Sequence, residues 1–183
     1  MRRTVASILV LCLLGAIAAA AGLAAQDIAG VSVRKQLRLA KKATERYRSV
    51  AQAEADGYRT TLGPDGKPVC VSSPLGAMGI HYANPALAAD NRLDIRRPEI
   101  LVYAPSPDGS LTLVALEYFK ADQDGNLLTS ADRPVLFGHG FDGPMEGHEP
   151  GMPVHYDLHV WLWRANPLGM FEQWNPNVTC PEG

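Results

Sequence analysis

The segment Pro153-Val-His-Tyr-Asp-Leu-His-Val-Trp-Leu-Trp163 most restricts what this chain can fold into. It alternates at every residue, which is the period of a β-strand. Tyr156, Leu158, Val160 and Leu162 fall on one face, and His155, Asp157, His159, Trp161 and Trp163 fall on the other. The first row is an ordinary core face. The second row holds two imidazoles, a carboxylate and two indoles, a composition that predicts a pocket wall and not a solvated face. The Val, Tyr and Trp content and the preceding Pro153 favour a strand over a helix. Strand geometry then limits what the histidines can share. Four steps of ~3.3 Å set His155 and His159 ~13 Å apart, so one ion takes one of them and not both.

Two further strands carry polar residues in apolar surroundings. Arg97–Pro105 and Leu111–Phe119 read as a hairpin around the turn Ser106-Pro-Asp-Gly109. In its second arm Leu111, Leu113, Ala115, Glu117 and Phe119 share a face, so Glu117 sits in an apolar row. A carboxylate there is costly unless it is paired, hydrogen-bonded or bound to a metal. Gly76-Ala-Met-Gly-Ile-His-Tyr-Ala83 reads as a glycine-bearing edge strand. Its two glycines beside His81 predict a backbone that passes close to another group. Pro85–Ala89 is expected to form a short helical turn.

These elements nominate His81, Glu117 and His159 as ligands of one transition metal: copper, zinc or iron. Asp157 is placed behind them as the acceptor that orients an imidazole. His155, Trp161, His148 and Met152 are expected to line the pocket or support it. Four of the five histidines fall in the last third of the chain, spaced M-x2-H-x3-M-x2-H-x3-H from Met145. The same segment, Phe137–Pro153, holds enough glycine and proline to exclude regular structure over most of its length, and it reads as a lid or entry route. Trp161, Trp163 and Trp174 are candidates for an aromatic wall. Asp122-Gln-Asp-Gly-Asn126 carries a D-x-D-G fragment but lacks the remaining carboxylate spacing of a calcium loop.

The order histidine, glutamate, histidine along strands is similar to that of cupin barrels. The closely spaced histidine pair with a following glutamate in one cupin motif is absent, so no cupin chemistry or residue assignment is carried over.

The amino terminus reads as an export signal over residues 1–25. Arg2 and Arg3 precede an apolar run from Val5 to about Ala21, and Gly22 and Ala24 occupy the −3 and −1 positions of a cleavage site. The alternative is an uncleaved membrane anchor. Either way the body lies outside the cytoplasm, secreted or periplasmic in a bacterium. Cys70 and Cys180 remain after cleavage, and in an oxidising compartment they are most simply a disulfide, with two free metal-binding thiols as the alternative.

Residues 26–57 are assigned to a basic amphipathic helix. Val33, Leu37, Ala40, Thr44, Tyr47 and Ala51 form one stripe, and helix is expected from Ser32 to Asp56. Arg34, Lys35, Arg38, Lys41, Lys42, Arg46 and Arg48 stand against Glu45 alone, whereas from Ser49 onward acidic residues outnumber basic ones 17 to 8. A basic arm on an acidic body argues against nucleic acid as a partner and permits weak contact with a membrane surface through the helix. Residues 58–183 form the β-rich domain. The fold class is α+β: a helix followed by a mostly antiparallel curled sheet or small open barrel.

No G-x-S-x-G, P-loop, H-E-x-x-H or dinucleotide fingerprint occurs. Metal or acid–base chemistry is what remains. The expected function is an extracytoplasmic metal- or small-ligand-binding protein. The alternatives are a metal-dependent or acid–base enzyme, and a structural module that docks through the basic helix.

Overall fold

The structure is a computed structural model that describes residues 31–148 and 151–181. Residues 1–25, read from the sequence as an export signal, lie outside the described residues. Among the described residues no helix is long and apolar enough to cross a membrane. Residues 33–183 form one compact unit.

The expected single helix is broken into three pieces: α1 (Val33–Thr44), a 3-10 turn (Glu45–Arg48) and α2 (Val50–Ala55). The break has local causes. The Thr44 hydroxyl donates back to the Ala40 carbonyl at 2.8 Å, a bond that bends helices. Ser49 then adopts extended backbone and caps α2 by accepting from the Gln52 amide. The turn lets Tyr47 bury its ring edge-on against Tyr58, 5.1 Å between centroids. Ala40, Thr44, Tyr47 and Ala53 are the buried positions, so the predicted stripe holds at its centre and fails at both ends, where Val33 and Ala51 are exposed and Ala53 is buried instead. The basic side chains named above are all exposed.

The body is a seven-stranded antiparallel sheet built from β1 (Arg59–Thr60), β2 (Cys70–Ser73), β3 (Gly76–Ala83), β4 (Ile100–Pro105), β5 (Leu111–Ala121), β8 (Asp142–Met145) and β9 (His155–Val160). A short helix α3 (Pro85–Asp90) follows β3, capped by the Asn84 side chain. A separate two-stranded ribbon pairs β6 (Val135–Leu136) with β7 (His139–Gly140). The strand order is β1-β3-β4-β5-β9-β8, with β2 also on β3. Among the described residues no pairing joins the two edges, so the sheet is open and no barrel closes.

Two expectations about strands are corrected. β3 is not an edge: β1 and β2 pair with it on one side and β4 on the other. The glycine- and proline-rich segment before β9 is also not wholly irregular. Asp142–Met145 is an edge strand on β9, with its register broken between Asp142 and Met145 around a cis Gly143–Pro144 bond. An edge position tolerates the proline because no ladder partner needs its missing N–H.

One sheet face carries Tyr82, Leu101, Tyr103, Leu116, Tyr118, Tyr156, Leu158 and Val160, nearly all fully buried. Its tyrosine hydroxyls reach outward to anchor what covers it. Tyr103 donates to the Tyr47 carbonyl, Tyr118 to the Ile95 carbonyl and Tyr58, from the covering layer, to the Pro98 carbonyl. The other face carries the histidine row. At one end of that face Trp161 and Val178 pack with Val102 and Ala115. A disulfide between Cys70 and Cys180 ties the carboxy-terminal segment to β2, with 5.7 Å between the Cα atoms. In the chain-entropy picture a bridge over so many residues stabilises by up to ~4–5 kcal/mol. The other end of the face is open, and the candidate site lies there.

Candidate metal centre

Register brings the three nominated residues together. Glu117 on β5 pairs directly with His159 on β9. On the other side of Glu117 stands Ile100 of β4, and Ile100 in turn opposes Ala83 of β3. His81 is two residues back from Ala83, so it shares the face. Paired residues in a ladder point the same way, and steps of two keep the face. Two strand spacings separate β3 from β5, and the His81 and Glu117 side chains reach over β4 to meet.

The Glu117 Oε2 atom lies 3.1 Å from His81 Nε2 and 3.5 Å from His159 Nε2. One ligand atom from each residue fits within 4.8 Å of the others. The His81 side chain is 23% exposed, while those of Glu117 and His159 are buried. Glu117 Oε2 meets His81 as a close ion-pair contact, and it and both ring nitrogens of His159 are buried without a geometrically formed hydrogen bond. Unpaired polar atoms at this depth are costly, and here Glu117 Oε2 and His159 Nε2 converge on one point, while His159 Nδ1 faces Asp157. Burial pushes the His159 imidazole down to about 4, so it is neutral at pH 7. Burial also opposes the charge on Glu117, but the positive charge that the facing His159 and His81 rings carry when protonated outweighs it and sets the carboxyl below its ordinary range. A carboxylate with a neutral imidazole is the protonation state that metal ligation requires.

Asp157 stands behind His159, with its Oδ1 atom 3.9 Å from His159 Nδ1 and its Oδ2 atom 3.9 Å from His155 Nε2. It is buried, and desolvation together with the Glu117 and Asp142 charges raises its carboxyl to about 8. His155 is fully buried, and desolvation lowers its imidazole. Its ring stacks on Phe119 at 5.0 Å and its Nδ1 meets the Pro153 carbonyl at 3.1 Å.

A cavity of about 870 Å³ opens in front of the triad. His81, Glu117, Asp157 and His159 line it, as do His148 and Met152 from the loop before β9. That loop therefore does reach the site. His155 and Trp161 are not among the lining residues. Trp161 lies 6.4 Å from the His159 ring, but it is packed in the core with its indole N–H on the Glu172 carbonyl. The aromatic wall reduces to Trp174. The alternation ends at Val160, and Trp163 lies under Lys41, 4.8 Å from its ring centroid. The D-x-D-G carboxylates are occupied by their own turn: Asp122 accepts from the amides of Asp124 and Gly125, and Asp124 from that of Asn126.

No protein-family model, curated protein or solved structure matches this chain. Function must therefore be argued from the site itself.

Sequence reasoning missed the cavity's apolar wall from α3, β4 and β5, where Ala88, Ile100, Phe119 and Ala121 face the triad. Phe119 and Ala121 continue the Glu117 row at steps of two, a signal present in the sequence. Ala88 is brought in only by tertiary packing.

Proposed function

We propose that this chain is an exported protein that binds one divalent transition metal through His81, Glu117 and His159. The observation that carries the reading is the convergence of three ligand atoms, with Glu117 Oε2 and both His159 nitrogens buried and unpartnered. A cation satisfies Glu117 Oε2 and His159 Nε2 at once, with Asp157 behind His159 Nδ1 to orient the ring. Two imidazoles and a carboxylate suit zinc or iron(II). The Met152 thioether accepts from the His148 amide, which argues against a copper(I) site. The Cys70–Cys180 disulfide, the amino-terminal arginine pair and the small-residue cleavage site support an extracytoplasmic location.

Elemental analysis of the protein, purified without a histidine tag, tests this. Roughly one equivalent of zinc, iron or copper per chain is expected, lost in His81→Ala and His159→Ala. No bound metal after incubation with each ion would end the reading.

A second reading is a metal-dependent hydrolase. It is favoured by the donor count: three protein ligands leave a tetrahedral ion one position short, and the group opens on a cavity. A water held there would be activated by the ion. Hydrolysis of an activated ester, abolished by chelation and by His159→Ala, would support it. Metal without turnover leaves the binding protein.

A further inference from the structure

The cavity is large for a metal alone. Its volume of about 870 Å³ lies near the top of the range for small-molecule sites, ~300–1,000 Å³. Its lining is mostly apolar, and its uncharged polar residues besides the triad are Thr60, Thr61, Asn91, His148 and Gln173. Away from the triad the wall is built from Ala83, Ala88, Ile100, Phe119, Ala121 and Trp174, none of which offers a charge. Phe119 and Ile100 are buried, and Ala88 and Ala121 are half-buried. Arg59 also lines the cavity, but its guanidinium is turned to the Glu54 and Tyr58 carbonyls. One end of the cavity therefore offers ligation and the rest offers mostly apolar burial.

The charge balance selects the head group. Two neutral imidazoles and one carboxylate leave a divalent ion with one net positive charge. An anionic oxygen donor neutralises it and fills the open coordination position. A neutral or cationic head does not.

We infer that the cavity binds a carboxylate with an apolar body, its head on the metal and its body along the β4, β5 and α3 wall. The inference rests on the metal reading above and adds the class of ligand. The apolar body contributes in proportion to what it buries, roughly fourfold in affinity per methylene.

The test is calorimetric titration of the full chain, zinc-loaded, with octanoate, acetate and octan-1-ol, and zinc content measured on the same samples. Octanoate should bind at least about tenfold more tightly than either of the others, since only it has both head and body. Ala121→Phe and Ala88→Phe, which fill the wall without touching a ligand residue, should each weaken octanoate about tenfold and leave zinc stoichiometry unchanged. Equal affinity for acetate and octanoate would overturn the inference, as would octanoate binding unaffected by both substitutions. Zinc bound at one equivalent with no octanoate binding overturns this inference alone. Octanoate binding that survives chelation and is blocked by Ala121→Phe overturns the metal reading instead, and with it the seat of the head group.

Discussion

Glu117 and His159 oppose each other across β5 and β9, with 3.5 Å between Oε2 and Nε2 and no hydrogen bond between them. Held in register yet unbonded, both atoms remain available to a shared partner. If that partner is a cation, Glu117→Gln should lower metal affinity by more than about 100-fold, because the amide keeps the shape and loses the charge. Wild-type protein should also gain thermal stability on adding zinc, by mass action on the folded state, and the variant should not. Thermal unfolding of both, with and without zinc, measures this. An equal zinc-induced shift in the two proteins would place the ion elsewhere.

Asp157 is predicted to act through His159 and not on the metal directly. Its Oδ1 atom faces the His159 nitrogen that points away from Glu117, at 3.9 Å. Asp157→Asn should cost about 10- to 100-fold in metal affinity while keeping one equivalent bound at saturation. Loss of stoichiometry would make Asp157 a ligand, and an unchanged affinity would remove it from the site. Competition against a chromophoric chelator distinguishes the three.

What was legible in the sequence was periodicity. Alternation put Glu117 in an apolar row and the histidines on one face, and strand spacing separated His155 from His159. The register that sets Glu117 opposite His159 was not legible, because it is fixed by how β5 and β9 pair and not by either strand alone. Trp161 keeps the histidine face but closes its end against Val102 and Ala115 instead of lining the cavity, and Trp163 leaves the row. Alternation continues in the sequence past Val160, but Trp161 donates its amide to the Met170 carbonyl and leaves the ladder. The three-piece helix was hidden because a threonine and a serine also occur inside unbroken helices at small cost. Only the burial of Tyr47 makes the turn worthwhile.

Glu99 supplies a pH dependence separate from the site. It is 1% exposed, and its Oε2 accepts from the Phe119 amide while Oε1 has no partner. Desolvation raises its carboxyl from 4.5 to about 8, opposed by the Phe119 hydrogen bond and aided by the Asp90 and Asp94 charges. Between those values the folded chain keeps a proton that the unfolded chain has released. Stability therefore falls as pH rises through this window, by up to ~1.4 kcal/mol per pH unit, and the full cost is present above the folded value. Glu99→Gln should flatten the slope. Urea unfolding of both proteins at about pH 5, 7 and 9 measures it, and parallel curves would show that Glu99 does not carry the effect.

Gly79 links the fold to the site, two residues from His81 on β3. Its φ is +113°, and a methyl group there would overlap the backbone carbonyl oxygen of Tyr103 on β4. Both the conformation and the space demand glycine. Gly109, in the β4–β5 turn, has φ of +80° but nothing within 4 Å of an added methyl, so it bears the conformational cost alone. Gly109→Ala should therefore destabilise by about 1 kcal/mol and leave metal affinity unchanged. Gly79→Ala should cost more than about 2 kcal/mol, since β3 must move off β4 to admit the methyl. Because β3 delivers His81, the same movement should weaken metal binding in the protein that remains folded. Denaturant unfolding and metal titration of both variants test the pair. If Gly79→Ala lowers stability but leaves metal affinity intact, His81 is held by something other than the β3–β4 register.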